Sequence, residues 1–172
     1  MQGTDGGVTG YNTSTEDRPL GAYSVLIALF NGIFVAFLLA ARRTGRDLPP
    51  RVQPADLALL GVATHKLSRL LAKDSVTSTL RAPFTTYGGP AGEGEVEDKP
   101  RGRGMQHALG ELITCPFCLG QWVASFFAYG LVFAPRVTRF AAGIFAMLTV
   151  ADVLQLGYDV TKHVAERSER QA

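Results

Sequence analysis

Two cysteines, Cys115 and Cys118, form a C-x-x-C motif at the start of a long apolar run. Pro116 suits the first turn of a helix, where its missing N–H is no loss and its fixed φ fits. Because a helix N-terminus carries about half a positive charge, a thiol there gains thiolate character. Three interpretations stay open: a redox dithiol, half of a metal site, or two small residues packed at a helix entry.

A metal site would need more ligands than this motif supplies. Zinc, the one metal the motif suggests, usually takes four, so His107 or the cysteines of a symmetric partner would have to contribute. His107 is the histidine nearest to the cysteines in sequence, although a surface histidine is the commoner case. Two cysteines in one motif also exclude the multi-bridge framework of a small secreted protein.

The composition indicates a membrane protein of one domain. The chain has 172 residues, of which 47% are hydrophobic and 19% are charged, and the charged residues are strongly segregated. Lys and Arg number 17 against 15 Asp and Glu, a net charge of +2. This balance is unlike that of a nucleic-acid binder defined by its charge, so the expected partner is the lipid bilayer and not nucleic acid.

The apolar segments predict an all-α fold: a helical integral membrane protein with three to four membrane helices and a polar loop before the C-x-x-C helix. Residues 1–19, rich in Gly, Thr and Ser, predict a disordered tail. The membrane domain covers 20–161, with helices expected at about 20–41, 55–73, 115–134 and 137–158. Residues 162–172 form a charged, exposed tail. The first apolar run is long enough to cross ~30 Å of hydrocarbon and lacks the basic leader of a signal peptide.

Four basic residues interrupt the stretch 55–73: His65, Lys66, Arg69 and Lys73. On a helix they share one arc about 100° wide, and each would cost roughly 2.5 to 3.5 kcal/mol at a membrane centre. The helix therefore either lies in the interface with this edge towards headgroups, or packs in a bundle with its cations reaching the surface. Asp152, inside the last apolar run, is expected to pair with Arg69 or His65.

The polar region from 74 to 110 predicts a short helix before Pro83, capped by Asp74 or Ser75. A flexible loop, rich in Gly, Pro and charge, is expected at 86–106. Asp74 and Arg81 come within reach of each other if the chain bends between them.

On the Cys helix, Gly120, Ala124 and Ala128 recur every four residues and predict a packing stripe, with Trp122 as a further packing residue. A break at Pro135 and Arg136 then reverses the chain into a helical hairpin.

The positive-inside rule gives the expected orientation. If the N-terminus is outside and the second helix does not cross, only Arg18, Arg136 and Arg139 lie outside. If all four helices cross with the N-terminus inside, the cytoplasmic excess is smaller. Both arrangements place 74–114 and the Cys pair on the cytoplasmic side of the cell membrane. A reducing compartment argues against a permanent disulfide.

Two strings, HKLSRLLAKDSVTSTLRAPF and GELITCPFCLGQW, resemble an uncharacterised family of small bacterial integral membrane proteins, DUF1360. The resemblance runs from about Gly61 to the last helix. It is carried by Arg69 to Leu71, Asp74, Thr77, Arg81, Pro83, Phe84, Cys115, Cys118, Gly120 and Trp122. Family members have three hydrophobic segments, which implies that the run at 20–41 is an addition. No activity follows from the resemblance.

Two hypotheses of function remain. The first is a non-enzymatic membrane scaffold or interaction protein, whose partner is a second copy or another membrane protein. The alternative is a membrane dithiol, redox-active or metal-binding, at Cys115 and Cys118. The sequence carries no paired catalytic carboxylates, nucleophile elbow or phosphate loop, so an enzyme is the less favoured class.

Overall fold

The computed structural model describes residues 18–49 and 51–171, so most of the tail expected at 1–19 lies outside the described residues. Within them the chain forms helices and one two-stranded antiparallel sheet. In chain order these are α1 (Leu20–Arg43), α2 (Pro54–Lys73), α3 (Ser78–Arg81), β1 (Thr85–Gly92), β2 (Glu95–Pro100), α4 (Met105–Thr114), α5 (Pro116–Phe133) and α6 (Pro135–Gln171). The predominantly helical fold is confirmed.

Three helices are long and apolar enough to cross a membrane: α1, α5 and the part Pro135–Val164 of α6. The turn between α5 and α6 is shorter than expected, because Pro135 opens α6 and only Ala134 lies outside the two helices. A Cβ at Gly130 would stand 2.5 Å from Thr138 Oγ1, so glycine permits this tight reversal. Helix α6 also continues through the expected tail to Gln171 and has 37 residues.

Helix α2 lies beside α5 and α6 along its length. Their shared core is formed by Ala63, Val123, Phe127 and Ala142, and both alanines are fully buried. Small residues at this contact let the backbones of α2 and α6 approach closely. Because Asp56 pairs with Arg139 and Lys66 pairs with Asp152 further along, the two helices run in the same direction.

Helix α1 runs in the same direction as α5 and is attached mainly by aromatic rings. Phe30 meets Trp122 edge-on with centroids 5.2 Å apart, and Phe37 stacks on Tyr129 at 4.2 Å. Near its end, Arg46 donates to the carbonyl oxygen of Val132 at 3.2 Å. The four long helices, α1, α2, α5 and α6, thus alternate in direction along the chain and lie side by side over the same length of the bundle.

The flexible loop expected at 86–106 was wrong. Most of these residues form a β-hairpin of β1 and β2, and α4 begins at Met105. Its glycines allow the turn and the irregularities of the hairpin. Gly94 reverses the chain with φ +75°, and the strand register shifts beside Gly89 and Gly92. The hairpin is also tied to the end of α2, where Ser75 N–H donates to Gly94 O at 2.9 Å. These contacts are long-range, so local composition did not indicate them.

We call residues 74–114, comprising α3, the hairpin and α4, the head. Helix α3 forms before Pro83 as expected, but its N-cap is Thr77 and not Asp74 or Ser75. Helix α4 packs closely on the base of the hairpin: a Cβ at Gly110 would lie only 2.6 Å from the carbonyl oxygen of Phe84, just before β1, and 3.1 Å from Pro100 at the end of β2. The head therefore sits at the end of the bundle where α2 ends and α5 begins.

Candidate functional site

Arg81 forms the junction between α2 and the head. Its side chain is 1% exposed and donates to Asp98 Oδ2 at 2.7 Å. The remaining donors satisfy groups at the end of α2 and on α3: Leu71 O at 2.8 Å, Asp74 O at 2.9 Å, Thr77 Oγ1 at 2.6 Å and Ser78 Oγ at 3.1 Å. Carbonyls at a helix end lack partners within the helix, so Arg81 acts as a side-chain cap for α2.

Asp74 and Arg81 do meet, although through the backbone. The carbonyl oxygen of Asp74 accepts from Arg81, whereas its carboxylate accepts the Val76 N–H at 2.9 Å. The charge partner of Arg81 is Asp98, which comes from the hairpin that the sequence did not predict.

Strand β2 supplies carboxylates to the basic edge of α2. Arg69 makes two parallel bonds of 2.7 Å to Glu95, and Lys73 lies 3.1 Å from Glu97. Part of the edge expected to face lipid headgroups therefore faces the hairpin. His65, on the same edge, is exposed.

Asp152 pairs with Lys66, with 2.5 Å between Nζ and Oδ2, and not with Arg69 or His65. The reason is position: Lys66 lies on the side of α2 that contacts α6, whereas Arg69 is drawn to Glu95 of the hairpin. The sequence predicted the correct helix and edge for the cation but not the residue.

A second pair joins the opposite end of the bundle. Arg139, at the start of α6, makes two bonds of 2.8 Å to the carboxylate of Asp56. These hydrogen bonds hold the pKa of Asp56 below its ordinary value of 3.8, and they outweigh burial, which acts in the opposite direction. Sequence reasoning missed this pair, because its partners are far apart along the chain.

The Cys pair lies at the beginning of α5 as expected. Cys115 is the N-cap, and its sulfur accepts the Cys118 N–H at 3.2 Å. Both thiols are free, and the thiol of Cys118 donates to the sulfur of Cys115. Proline at the first helical position and a sulfur in the capping role explain why the helix starts here.

Both cysteines line a cavity of about 730 Å³ between α1, α4 and α5. Its apolar wall includes Leu26, Ile27, Phe30, Leu112 and Trp122, and its polar groups include Arg18, Tyr23, Asn31, Glu111 and Gln121. Tyr23 Oη donates to Glu111, and Arg18 lies 3.3 Å from the same carboxylate.

His107 is placed beside Glu111, with 3.6 Å between Nε2 and Oε1. Within residues 18–49 and 51–171, no group of three or more His, Cys, Asp or Glu side chains is placed to hold a metal ion. Among the described residues, therefore, the structure does not bring His107 together with Cys115 and Cys118 as ligands of one metal ion.

The expected packing stripe on α5 divides between two environments. A Cβ at Gly120 would lie 3.9 Å from Ser68 Oγ on α2, which is ordinary contact. Ala124 and Ala128 instead line a second, mostly apolar cavity of about 540 Å³ among α1, α2 and α5. The buried contact of α5 is made by Val123 and Phe127, one position before each alanine.

The fold and site define a small helical protein with three helices able to cross a membrane, a compact polar head and a free dithiol. Residues 59–158 match the family described as protein of unknown function DUF1360, and the chain belongs to this family. The resemblance seen in the sequence is thereby confirmed. Helix α1 and the N-terminal part of α2 lie outside the matched residues.

A relative is the sporulation protein YjcA of Bacillus subtilis strain 168. The two proteins are 26% identical over 102 residues, which cover 58% of this chain and 86% of the relative. No solved structure matches the chain.

Proposed function

We propose that this protein is a non-enzymatic membrane interaction protein that presents its head to a protein partner at the membrane surface. The observation that carries this proposal is the buried junction at Arg81, whose side chain bonds Leu71 O at the end of α2 and four groups within the head. A head held at one angle to the bundle is suited to binding a partner at a defined height and orientation.

The chemistry of the junction supports a role in orientation. A buried ion pair adds little net stability compared with apolar side chains of similar size, because desolvation offsets the attraction. Its directional bonds do restrict geometry, since a guanidinium is satisfied only when its planar fork meets its acceptors. The pairs of Arg69 and Lys73 with β2 add two further ties on the outer face.

The surface of the head carries apolar side chains that have little contact with the rest of the chain. Val76 is 81% exposed, Tyr87 is 68% exposed and Leu80 is 64% exposed. Aromatic and aliphatic side chains of this kind supply the central contacts of protein interfaces. Sporulation, as named for the Bacillus relative, is one setting in which such an interaction would operate.

We assign the head and the Cys pair to the cytoplasmic side. The alternating helices bring Arg18, the head and the last residues of α6 to one end of the bundle. The basic residues at that end outnumber those at the other, which are Arg42, Arg43, Arg46, Arg51, Arg136 and Arg139.

Site-specific photo-crosslinking in cells tests the interaction. A photoreactive side chain at Tyr87 or Leu80 is expected to give a discrete adduct of higher mass, and one at Val153 or Leu156 on α6 serves as the control. An adduct of twice the chain mass identifies the partner as a second copy. Arg81→Lys keeps the charge but not the planar fork, so it should weaken the adduct. The proposal fails if neither head position gives an adduct.

A further inference from the structure

We propose that Cys115 and Cys118 form a dithiol that transfers two electrons to a quinone held in the cavity between α1, α4 and α5. This is a second activity, independent of the interaction proposed for the head. It rests on the contact between the two thiols, on the contents of the cavity wall and on the position of that cavity beside two helices able to cross a membrane.

The hydrogen bonds divide the two thiols into distinct roles. Cys115 Sγ accepts both the N–H and the S–H of Cys118, at the N-terminus of α5. Both bonds and the helix terminus stabilise negative charge on this sulfur. Cys115 is therefore the sulfur that reacts first, and Cys118 is the second thiol, which closes the disulfide.

The cavity has the size and composition of a small-molecule site. At about 730 Å³ it falls within the roughly 300 to 1,000 Å³ typical of such sites. Phe30 and Trp122 offer flat apolar surface, and the Gln121 amide offers hydrogen bonds to a carbonyl oxygen. Asn31 Nδ2 donates to Ile27 O at 2.8 Å and has a second N–H for a ligand carbonyl. A planar ring with carbonyl groups and an apolar tail matches this combination.

The position of the cavity favours a ligand that arrives from the bilayer. Its outer wall comes from α1, through Leu26, Ile27, Phe30 and Asn31, and its inner wall from α5. A quinone dissolved in lipid reaches this gap between the helices, whereas the disulfide of a folded protein would have to enter between them. Helix α1, which supplies this outer wall, lies outside the residues matched by the family.

The reaction balances without a further reactant. Two S–H bonds break and one S–S bond forms between Cys115 and Cys118, which releases two electrons and two protons. The quinone takes both electrons, and the protons go to its two carbonyl oxygens to give the quinol. The Tyr23 hydroxyl and the Glu111 carboxylate line the cavity and are placed to relay a proton.

The full chain, reduced and purified in detergent without oxygen, provides the test. Decylubiquinone is added, and the quinone absorbance and the free thiols are followed together. We expect one quinone reduced for every two thiols lost, and no quinone reduction in Cys115→Ser or Cys118→Ser. Unchanged quinone, or oxidation of the thiols only by a small water-soluble disulfide, overturns the proposal.

A matched pair of variants tests whether the cavity is the site. Leu26→Trp fills the cavity and should slow quinone reduction about tenfold, whereas Val25→Trp, one residue away and outside the lining, should not. The rate with the water-soluble disulfide should be equal in both. If Leu26→Trp does not fold, Asn31→Leu replaces it and should likewise slow quinone reduction. Equal quinone rates in the cavity variant and Val25→Trp overturn the proposal.

Discussion

Among the cations whose side chains the structure describes, Arg81 stands apart because it is 1% exposed and its side-chain donors all bond to groups of the protein. Removing it leaves Asp98, itself 6% exposed, as an uncompensated buried charge. The cost of losing one partner of a buried pair is larger than the net contribution of the pair. The residue is therefore a sensitive probe of how the head is held.

We predict that Arg81→Met lowers the free energy of unfolding by about 3 to 5 kcal/mol, because Asp98 loses its partner in a buried site. Thermal unfolding in detergent measures the change, and Lys99→Met on the exposed face of β2 serves as the control. A combined Arg81→Met and Asp98→Leu variant should recover part of the loss. Equal effects of Arg81→Met and Lys99→Met would contradict the junction described above.

Asp56 makes the stability of the folded chain depend on pH in the acidic range. Its pKa is lowered by Arg139, so its contribution to stability is complete above its ordinary value of 3.8 and is lost as pH falls through the lowered folded value. We expect the stability difference between the wild type and Asp56→Asn to be constant from about pH 7 to pH 5 and to shrink below about pH 4. Asp47→Asn, in the exposed turn before α2, is the matched control. A difference that grows on acidification would be the opposite of this result.

At the scale of elements, α2 is where the sequence was least decisive. Its basic edge fitted both a helix lying on the membrane and a helix inside a bundle. In the structure α6 supplies a carboxylate to Lys66, and β2 of the hairpin supplies one each to Arg69 and Lys73. Thus the edge is a row of ion pairs, and α2 has the same height as the helices able to cross.

We predict that Lys66 and Asp152 are energetically coupled. Lys66→Gln and Asp152→Asn should each lower the thermal stability, and the double variant should lose less than the sum, with a coupling of about 0.5 to 3 kcal/mol. His65→Gln combined with Asp152→Asn is the control pair and should be additive. Coupling to His65 of the same size as coupling to Lys66 would disprove the assigned partner.

The contact between α4 and the hairpin is predicted to be intolerant of even one methyl group. Gly110→Ala would bring a Cβ within 2.6 Å of Phe84 O and should cost about 1 to 3 kcal/mol. Gly61→Ala, also in a helix but with open space around it, should be neutral or stabilising, since alanine is the better helix former. Thermal unfolding of the two variants side by side measures the contrast, and similar stability for both would contradict the close packing.

These elements also show what the sequence could predict. The start of α5 at Cys115 and Pro116 was correct, because capping chemistry is local. The hairpin, α4 and the partners of Arg81, Lys66 and Arg139 were missed, because each depends on contacts between distant parts of the chain. The glycines and charges of the hairpin are typical of a flexible loop, so a loop was predicted. The acidic residues of β2 find their partners only when the hairpin lies beside the cations of α2.

At the scale of the whole molecule, the alternating helices predict a clear sidedness. A membrane-impermeant maleimide should leave Cys115 and Cys118 unlabelled in cells whose outer layers have been opened, and should label them once the membrane is permeabilised. In a variant with serine at both cysteines, Arg51→Cys in the turn between α1 and α2 should label without permeabilisation. Labelling of the native pair before permeabilisation would reverse the orientation.

Helix α6 is longer than a membrane requires. Its 37 residues extend about 55 Å, against roughly 30 Å of hydrocarbon, so α6 is long enough to cross a bilayer and to continue beyond it as one helix. Because α6 is one uninterrupted helix, the position and the rotation of its last turns are both determined by the segment before them. Inserting one residue near Tyr158 would move everything after it by about 1.5 Å and turn it by about 100°, so whatever binds the C-terminal turns is oriented by the membrane segment itself.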